Sequence, residues 1–229
     1  MAVAATISTV AKELKACGRT WQAPDPVTVT EMKRLVRERW STPTLWTRQF
    51  KSEVKLYIER SCESQGIAFP NFELREHSKG PPGYANMENG INYASLKYSF
   101  IAVADRWAIK AVVAHELWHM IKGLGVGSSI EQRRQSRQTE FEADAFAAKI
   151  VSSMNLAVAL AMINQYSNKV NLDYFCDEVL QNGGRARLSN RIFTYKRSIS
   201  HLRDTHPDMA ERIARLLNME AQNPIWKFL

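Results

Sequence analysis

Ala111-Val112-Val113-Ala114-His115-Glu116-Leu117-Trp118-His119-Met120-Ile121 is an apolar run with two histidines and one glutamate set into it. An α-helix advances ~100° per residue, so a step of four residues closes to within ~40° of a full turn. His115 and His119 therefore project from one face, one turn apart, where both can grip a single ion. Glu116 sits beside the first of them and can reach a water on that ion. The apolar flanks predict a buried helix over residues 104–122, ended by Gly123, Gly125 and Gly127.

Two histidines do not complete a metal site. A catalytic zinc centre keeps three protein ligands and leaves its fourth position open to water. The stretch Thr139-Glu140-Phe141-Glu142-Ala143-Asp144-Ala145-Phe146-Ala147-Ala148 is the candidate for the missing ligand. Read as a helix, it carries Glu140 and Asp144 one turn apart on one face. Such an acidic pair on a small, apolar helix is costly to bury without a cation. Glu140 is expected to ligate the ion. Asp144 is expected to accept the second ring N–H of a ligating histidine, which fixes that ring's tautomer. Glu142 points elsewhere and reads as a surface residue.

The rest of the chain bounds this reading. Its 229 residues suffice for one domain with a full core, and 45% apolar with 24% charged residues is the balance of a soluble globular protein. The formal net charge of +8 would suit an acidic partner such as nucleic acid. The basic residues are scattered, however, and the densest group, Arg133-Arg134-Gln135-Ser136-Arg137, reads as an exposed loop or helix edge. Cys17, Cys62 and Cys176 are odd in number and far apart, which argues against a disulfide framework or a zinc ribbon. No secretory signal and no membrane-spanning stretch is evident, so a cytoplasmic location is expected.

Helices are expected over residues 7–16, from Thr28 or Thr30 to Trp40, and from Ser41-Thr42-Pro43 to about Gln65. Residues 69–76, 84–87 and 91–100 read as extended, with Asn89-Gly90 as a hairpin turn. Further helices are expected over 139–155, on to about Tyr166, over 188–203 and over 207–218. The fold class is thus α+β and mainly helical, zincin-like, with a small sheet packed on the motif helix. The division expected is a helical N-terminal region, residues 1–66, and a catalytic domain, residues 67–229.

Residues 113–119, 140–147 and 205–216 together resemble the gluzincin zinc metallopeptidases of the HtpX and CAAX-prenyl-protease type. That family carries HExxH, then E-x-x-A-D-x-x-A, then a late H-P followed by R-I. The late motif here is Thr205-His206-Pro207-Asp208-Met209-Ala210-Glu211-Arg212-Ile213. The resemblance covers residues 67–217 and implies one Zn2+ per chain, ligated by His115, His119 and Glu140, with Asp144 orienting a histidine. It implies that Glu116 is the general base, that His206 stabilises the oxyanion and that Arg212 lies near the site. It also implies that Tyr84, Ala85, Asn86 and Met87 form a strand whose edge pairs with an extended substrate. Family members are commonly membrane-embedded, whereas this chain reads as a soluble version.

The expected activity is a zinc-dependent metalloendopeptidase acting on a polypeptide. One alternative is an ImmA/IrrE-like regulatory peptidase acting on a DNA-bound regulator. Another is a non-catalytic basic binding protein that uses the zinc helix as scaffold. A third is a latent peptidase whose residues 1–66 cover the cleft. Oligomeric state, substrate and the roles of His77 and His201 are not legible at this level.

Overall fold

The computed structural model describes residues 23–40, 43–68, 71–122, 130–168, 171–180 and 209–222. The helices expected over residues 7–16 and 188–203, with Cys17, His201 and His206, lie outside the described residues. Two helices open the described chain, α1 (Pro26–Trp40) and α2 (Arg48–Glu63). Asp25, rather than Thr28 or Thr30, caps α1: its carboxylate accepts from the Thr28 amide at 3.1 Å. Pro26 then takes the first helical position, where its missing N–H costs nothing. Helix α2 begins at Thr47, not at Ser41-Thr42-Pro43, because the Thr47 hydroxyl accepts from the Phe50 amide at 3.1 Å.

Three strands follow, β1 (Phe72–His77), β2 (Gly83–Glu88) and β3 (Ile91–Lys97), in the order β1-β3-β2. Strand β3 runs parallel to β1 and antiparallel to β2. The hairpin between β2 and β3 turns at Asn89-Gly90, both left-handed (φ 51° and 77°), as a two-residue turn with a right-handed strand twist requires. Strand β3 stops at Lys97 and the chain coils into a short helix, α3 (Tyr98–Ile101), so the extended stretch is three residues shorter than its composition suggests.

The motif helix is α4 (Arg106–Lys122). Asp105 caps it, accepting from the Ala108 amide at 2.8 Å. Residues 108–115 and Leu117 of α4 are all buried, so the helix runs through the interior rather than along a surface. It packs against α5 (Ile130–Val151), α6 (Ser153–Asn168), β2 and β3. Helix α5 is longer than expected and already runs when it reaches Thr139, which is buried inside it and is not a cap. The basic group 133–137 is therefore helical. The helix breaks at Ser152, held left-handed at φ 76°, and α6 starts immediately afterwards. Glu220 accepts from the Met154 amide at 3.1 Å and so closes the start of α6 from 66 residues away.

Helix α7 (Leu172–Leu180), which no reading of the sequence anticipated, and α8 (Met209–Gln222) complete the set. Helix α8 lies on α6, α7 and α5, and α1 lies on α6 and α7. One apolar core joins Met32 and Val36 of α1, Val54 and Ile58 of α2, Ala111 and Leu117 of α4, and Ile213 and Leu217 of α8. The fold is α+β and mainly helical, with a small sheet on the motif helix. Cys62 and Cys176 are buried and unpaired. No helix among the described residues is long and apolar enough to cross a membrane.

The sheet meets α4 at unusually short range. A Cβ on Gly83 would stand 2.5 Å from Val112 Cγ1 and 3.3 Å from Glu116 Oε1. Only a glycine lets β2 approach the motif helix this closely. Gly83→Ala should therefore cost about 1–3 kcal/mol through overpacking. A lower midpoint of thermal unfolding is the expected readout, and an unchanged midpoint would contradict the contact.

Candidate metal centre

Helices α4 and α5 bring the expected ligands together across 21 residues of sequence. His115 Nε2 and His119 Nε2 lie 3.2 Å apart. Each lies 3.4 Å from a carboxylate oxygen of Glu140. Ligands at bond lengths of about 2.0–2.1 Å on the corners of a tetrahedron are separated by about 3.3 Å. The three donor groups therefore stand close to the spacing of ligands on one tetrahedral ion, with Glu140 Oε2 toward His115 and Oε1 toward His119. His115 and Glu140 are buried, which removes competing water from two of the three.

Asp144 stands behind His115. Its Oδ1 is 3.0 Å from His115 Nδ1 and accepts that N–H, so Nε2 keeps its lone pair aimed at the common point. Arg212, reaching in from α8, grips the same carboxylate with both arms: Nε to Oδ2 at 2.7 Å and a terminal nitrogen to Oδ1 at 2.6 Å. Its other terminal nitrogen lies 3.2 Å from Glu140 Oε2. Arg212 thus lies against the two carboxylates of α5 and is 6% exposed. Glu116 occupies the same cleft. With both imidazoles neutral, as a metal requires, one guanidinium faces three carboxylates, so negative charge is in excess at the point where the ligands converge. A divalent cation fits that balance, and the donor set of two imidazoles and a carboxylate is one that zinc accepts.

The surroundings shift each group. Burial raises the Glu116 carboxyl, and His115 and His119 offset this only in part. Burial alone would also raise Glu140, yet His115, His119 and Arg212 outweigh it and hold this carboxyl well below the usual range. Asp144 is likewise held low against its burial, chiefly by Arg212. For His115, burial favours the neutral ring, but the carboxylates of Asp144 and Glu140 prevail and push it from 6.5 up to about 9.

Zinc binds only the neutral ring, so metal and proton compete for His115. The stabilisation that protonated His115 gives the metal-free protein is complete below pH 6.5 and is lost as pH rises through about 9. Metal uptake should accordingly strengthen across that window. At pH 7 it should release about one proton per zinc, measurable by calorimetry in buffers of different ionisation enthalpy. Release of no proton at pH 7 would contradict this arrangement.

A cavity of about 460 Å³ opens in front of these groups. It is lined by Pro81, Pro82 and the start of β2, and by an apolar group from Leu156, Leu160 and Ile163 of α6 with Met209 of α8. Among the described residues, none before Pro81 lines it. Strand β2 is an edge, and its register identifies which of its groups face outward. The Lys97 amide donates to Pro82 O at 2.9 Å, so Pro82 and Lys97 form a hydrogen-bonded pair. Antiparallel pairs alternate, and with Pro82 opposite Lys97 the residues Gly83, Ala85 and Met87 fall at non-bonded positions. Their N–H and C=O groups point to the outer edge, where the Met87 amide donates to Asn86 Oδ1 at 2.8 Å.

Of the residues expected at the site, His115, Glu116, His119, Glu140, Asp144 and Arg212 come together, and Tyr84 to Met87 form the edge strand beside them. His206 lies outside the described residues. Gly83 was not among the residues expected at the site; the signal for it was a Pro-Pro-Gly run at the entry to a strand.

Two imidazoles from one helix and a glutamate from the next thus form a group that could hold a metal ion. A family model, Peptidase family M48, matches residues 125–220 of the chain. The match makes this stretch, less than half of the chain, similar to that peptidase family. It begins after the HExxH helix and spans Glu140, Asp144 and Arg212. The HExxH helix is joined to it by the geometry above. Neither the curated proteins nor the solved structures gave a match.

Proposed function

We propose that the protein is a zinc-dependent endopeptidase that hydrolyses peptide bonds in an extended polypeptide. The observation that carries this reading is the tetrahedral spacing of the His115, His119 and Glu140 donors in a cleft that also holds Glu116. Zinc, when bound, supplies a Lewis acid that makes water a nucleophile near neutral pH. His115, His119 and Glu140 would hold it, and Asp144 would keep His115 in the ligating tautomer.

Glu116 would accept a proton from the attacking water and deliver it to the leaving amine. Its raised pKa suits both halves of that task, since the proton must be taken and then given up. The free edge of β2 would pair with substrate main chain through Gly83 and Ala85, a mode of recognition that holds any extended sequence in register. The apolar wall from α6 and α8 would receive a substrate side chain. Oxyanion stabilisation falls to His206 by the resemblance alone. Arg212 is proposed as a residue that positions the carboxylates. Residues 1–66 are proposed as a helical buttress to the catalytic domain, residues 67–229, since none of the described residues in that region lines the cleft.

The first test is metal removal. The purified protein should carry one zinc per chain and cleave an unfolded polypeptide. Chelation should abolish cleavage and zinc should restore it. A wild-type protein that binds no zinc would sink the proposal. The ImmA/IrrE-like reading and the scaffold reading gain no support from the geometry or from the family match.

A further inference from the structure

We propose that His77 is a positioning residue that latches the lip of the cleft, a role that rests on the peptidase reading for its effect on substrate. The lip is the segment of residues 78–82 between β1 and β2, and Pro81 and Pro82 at its end line the cleft. Neither proline has an amide hydrogen, so this end of the lip can be tied down only by its carbonyls. Both carbonyls are engaged. Pro82 O accepts from the Lys97 amide, and Pro81 O lies 2.9 Å from His77 Nε2.

A carbonyl oxygen only accepts, so Nε2 carries the proton. Nδ1 then accepts from the hydroxyl of Ser95, 2.9 Å away on the central strand. Ser95 is 1% exposed and supplies a rigid anchor. The imidazole also rests on Tyr84 with ring centroids 4.7 Å apart. Tyr84 meets Tyr93 edge-on at 6.2 Å, and the Arg75 guanidinium lies 4.3 Å over Tyr93. His77, Tyr84, Tyr93 and Ser95 all fall on the sheet face turned away from α4, by the alternation of the registers. Gly80, left-handed at φ 109°, folds the lip over the imidazole. Residues 78–81 are themselves exposed and bury little, so the polar latch holds what packing does not.

The lip runs directly into Gly83, which touches Val112 and faces Glu116 and is the first residue with outward-facing edge groups. A loosened lip moves the start of the substrate-pairing edge. The ligands on α4 and α5 stay where they are. His77 therefore acts on substrate binding rather than on the metal or the chemical step.

His77→Phe keeps a ring on Tyr84 and removes both hydrogen bonds. Lys79 is exposed in the lip, so trypsin reports its mobility independently of the protein's own activity. Cutting after Lys79 should accelerate about tenfold in His77→Phe, the equivalent of one lost hydrogen bond, with zinc content and other tryptic sites unchanged. For a peptide substrate KM should rise about tenfold with kcat within about twofold. Ser95→Ala, which frees the anchor and keeps the imidazole, should give a smaller change of the same kind and serves if His77→Phe does not fold. Unchanged cutting after Lys79 would overturn the latch. So would a joint fall of kcat and zinc content, which marks a general structural role. If the wild type cleaves no peptide, the peptidase reading fails while the tryptic comparison still decides the latch.

Discussion

Glu116→Gln should leave zinc near one per chain and lower the cleavage of an unfolded polypeptide by about 10²–10⁴-fold, the range that a positioned general base contributes. The side chain is isosteric and makes no ligand bond in the proposed arrangement, so the metal should stay. An amide cannot take the water's proton, so kcat should carry most of the loss. KM should change little, because the edge of β2 and the apolar wall are untouched. The variant should melt at or slightly above the wild type, since Glu116 faces the cleft, its charge is disfavoured by burial, and the close ion pairs join His115, Glu140, Asp144 and Arg212. Retained turnover with retained zinc would remove Glu116 from the mechanism. Lost zinc would show that it supports the metal.

Arg212→Met should destabilise the protein by about 3–5 kcal/mol, the usual consequence of removing one partner from a buried ionic cluster. For a chain of this size that is a fall of about 10 °C in Tm. The physical cause is specific. Asp144 and Glu140 are 3% and 5% exposed; Asp144 keeps its charge chiefly through the guanidinium, which also supports the charge that His115 and His119 hold on Glu140. Without it, two buried carboxylates face each other, and Asp144 no longer holds a fixed position behind His115. Zinc affinity should drop about 10–100-fold as a result. Arg212→Lys should recover only part of both losses, because a single ammonium cannot match the two-armed contact with Asp144.

The pH dependence gives a further handle. The Asp144 carboxyl is held below its ordinary value, so its stabilisation is present above about pH 4 and is lost as pH falls through the folded value. The gap between wild type and Arg212→Met should therefore be widest near neutrality and close on acidification. A gap that stays constant down to pH 3 would place the effect in packing rather than charge.

Much of the ligand set was legible because it is local. His115 and His119 share a face by helical arithmetic, and so do Glu140 and Asp144. Asn89-Gly90 announced its hairpin for an equally local reason, since few residue pairs tolerate two successive left-handed conformations. The misread boundaries have a common cause. Thr139 looked like a cap but lies within a longer helix, and the break came at Ser152, where Glu220 from a distant helix supplies the capping carboxylate. Helix α7 went unread because it is only nine residues long, although its apolar residues gather on one face.

Taken alone, the sequence determined which groups could share a metal site: two imidazoles and a carboxylate, on two helices of an α+β fold. It could do so because residue type and helical spacing decide which side chains share a face. Tertiary structure decided what surrounds that centre. It placed Arg212 against Asp144 across 68 residues, pressed Gly83 onto Val112 and Glu116, turned the edge of β2 toward the cleft and tied its lip to His77. Those relations depend on how separate elements pack, on strand register and on distances between residues far apart in the chain, none of which any local spacing encodes.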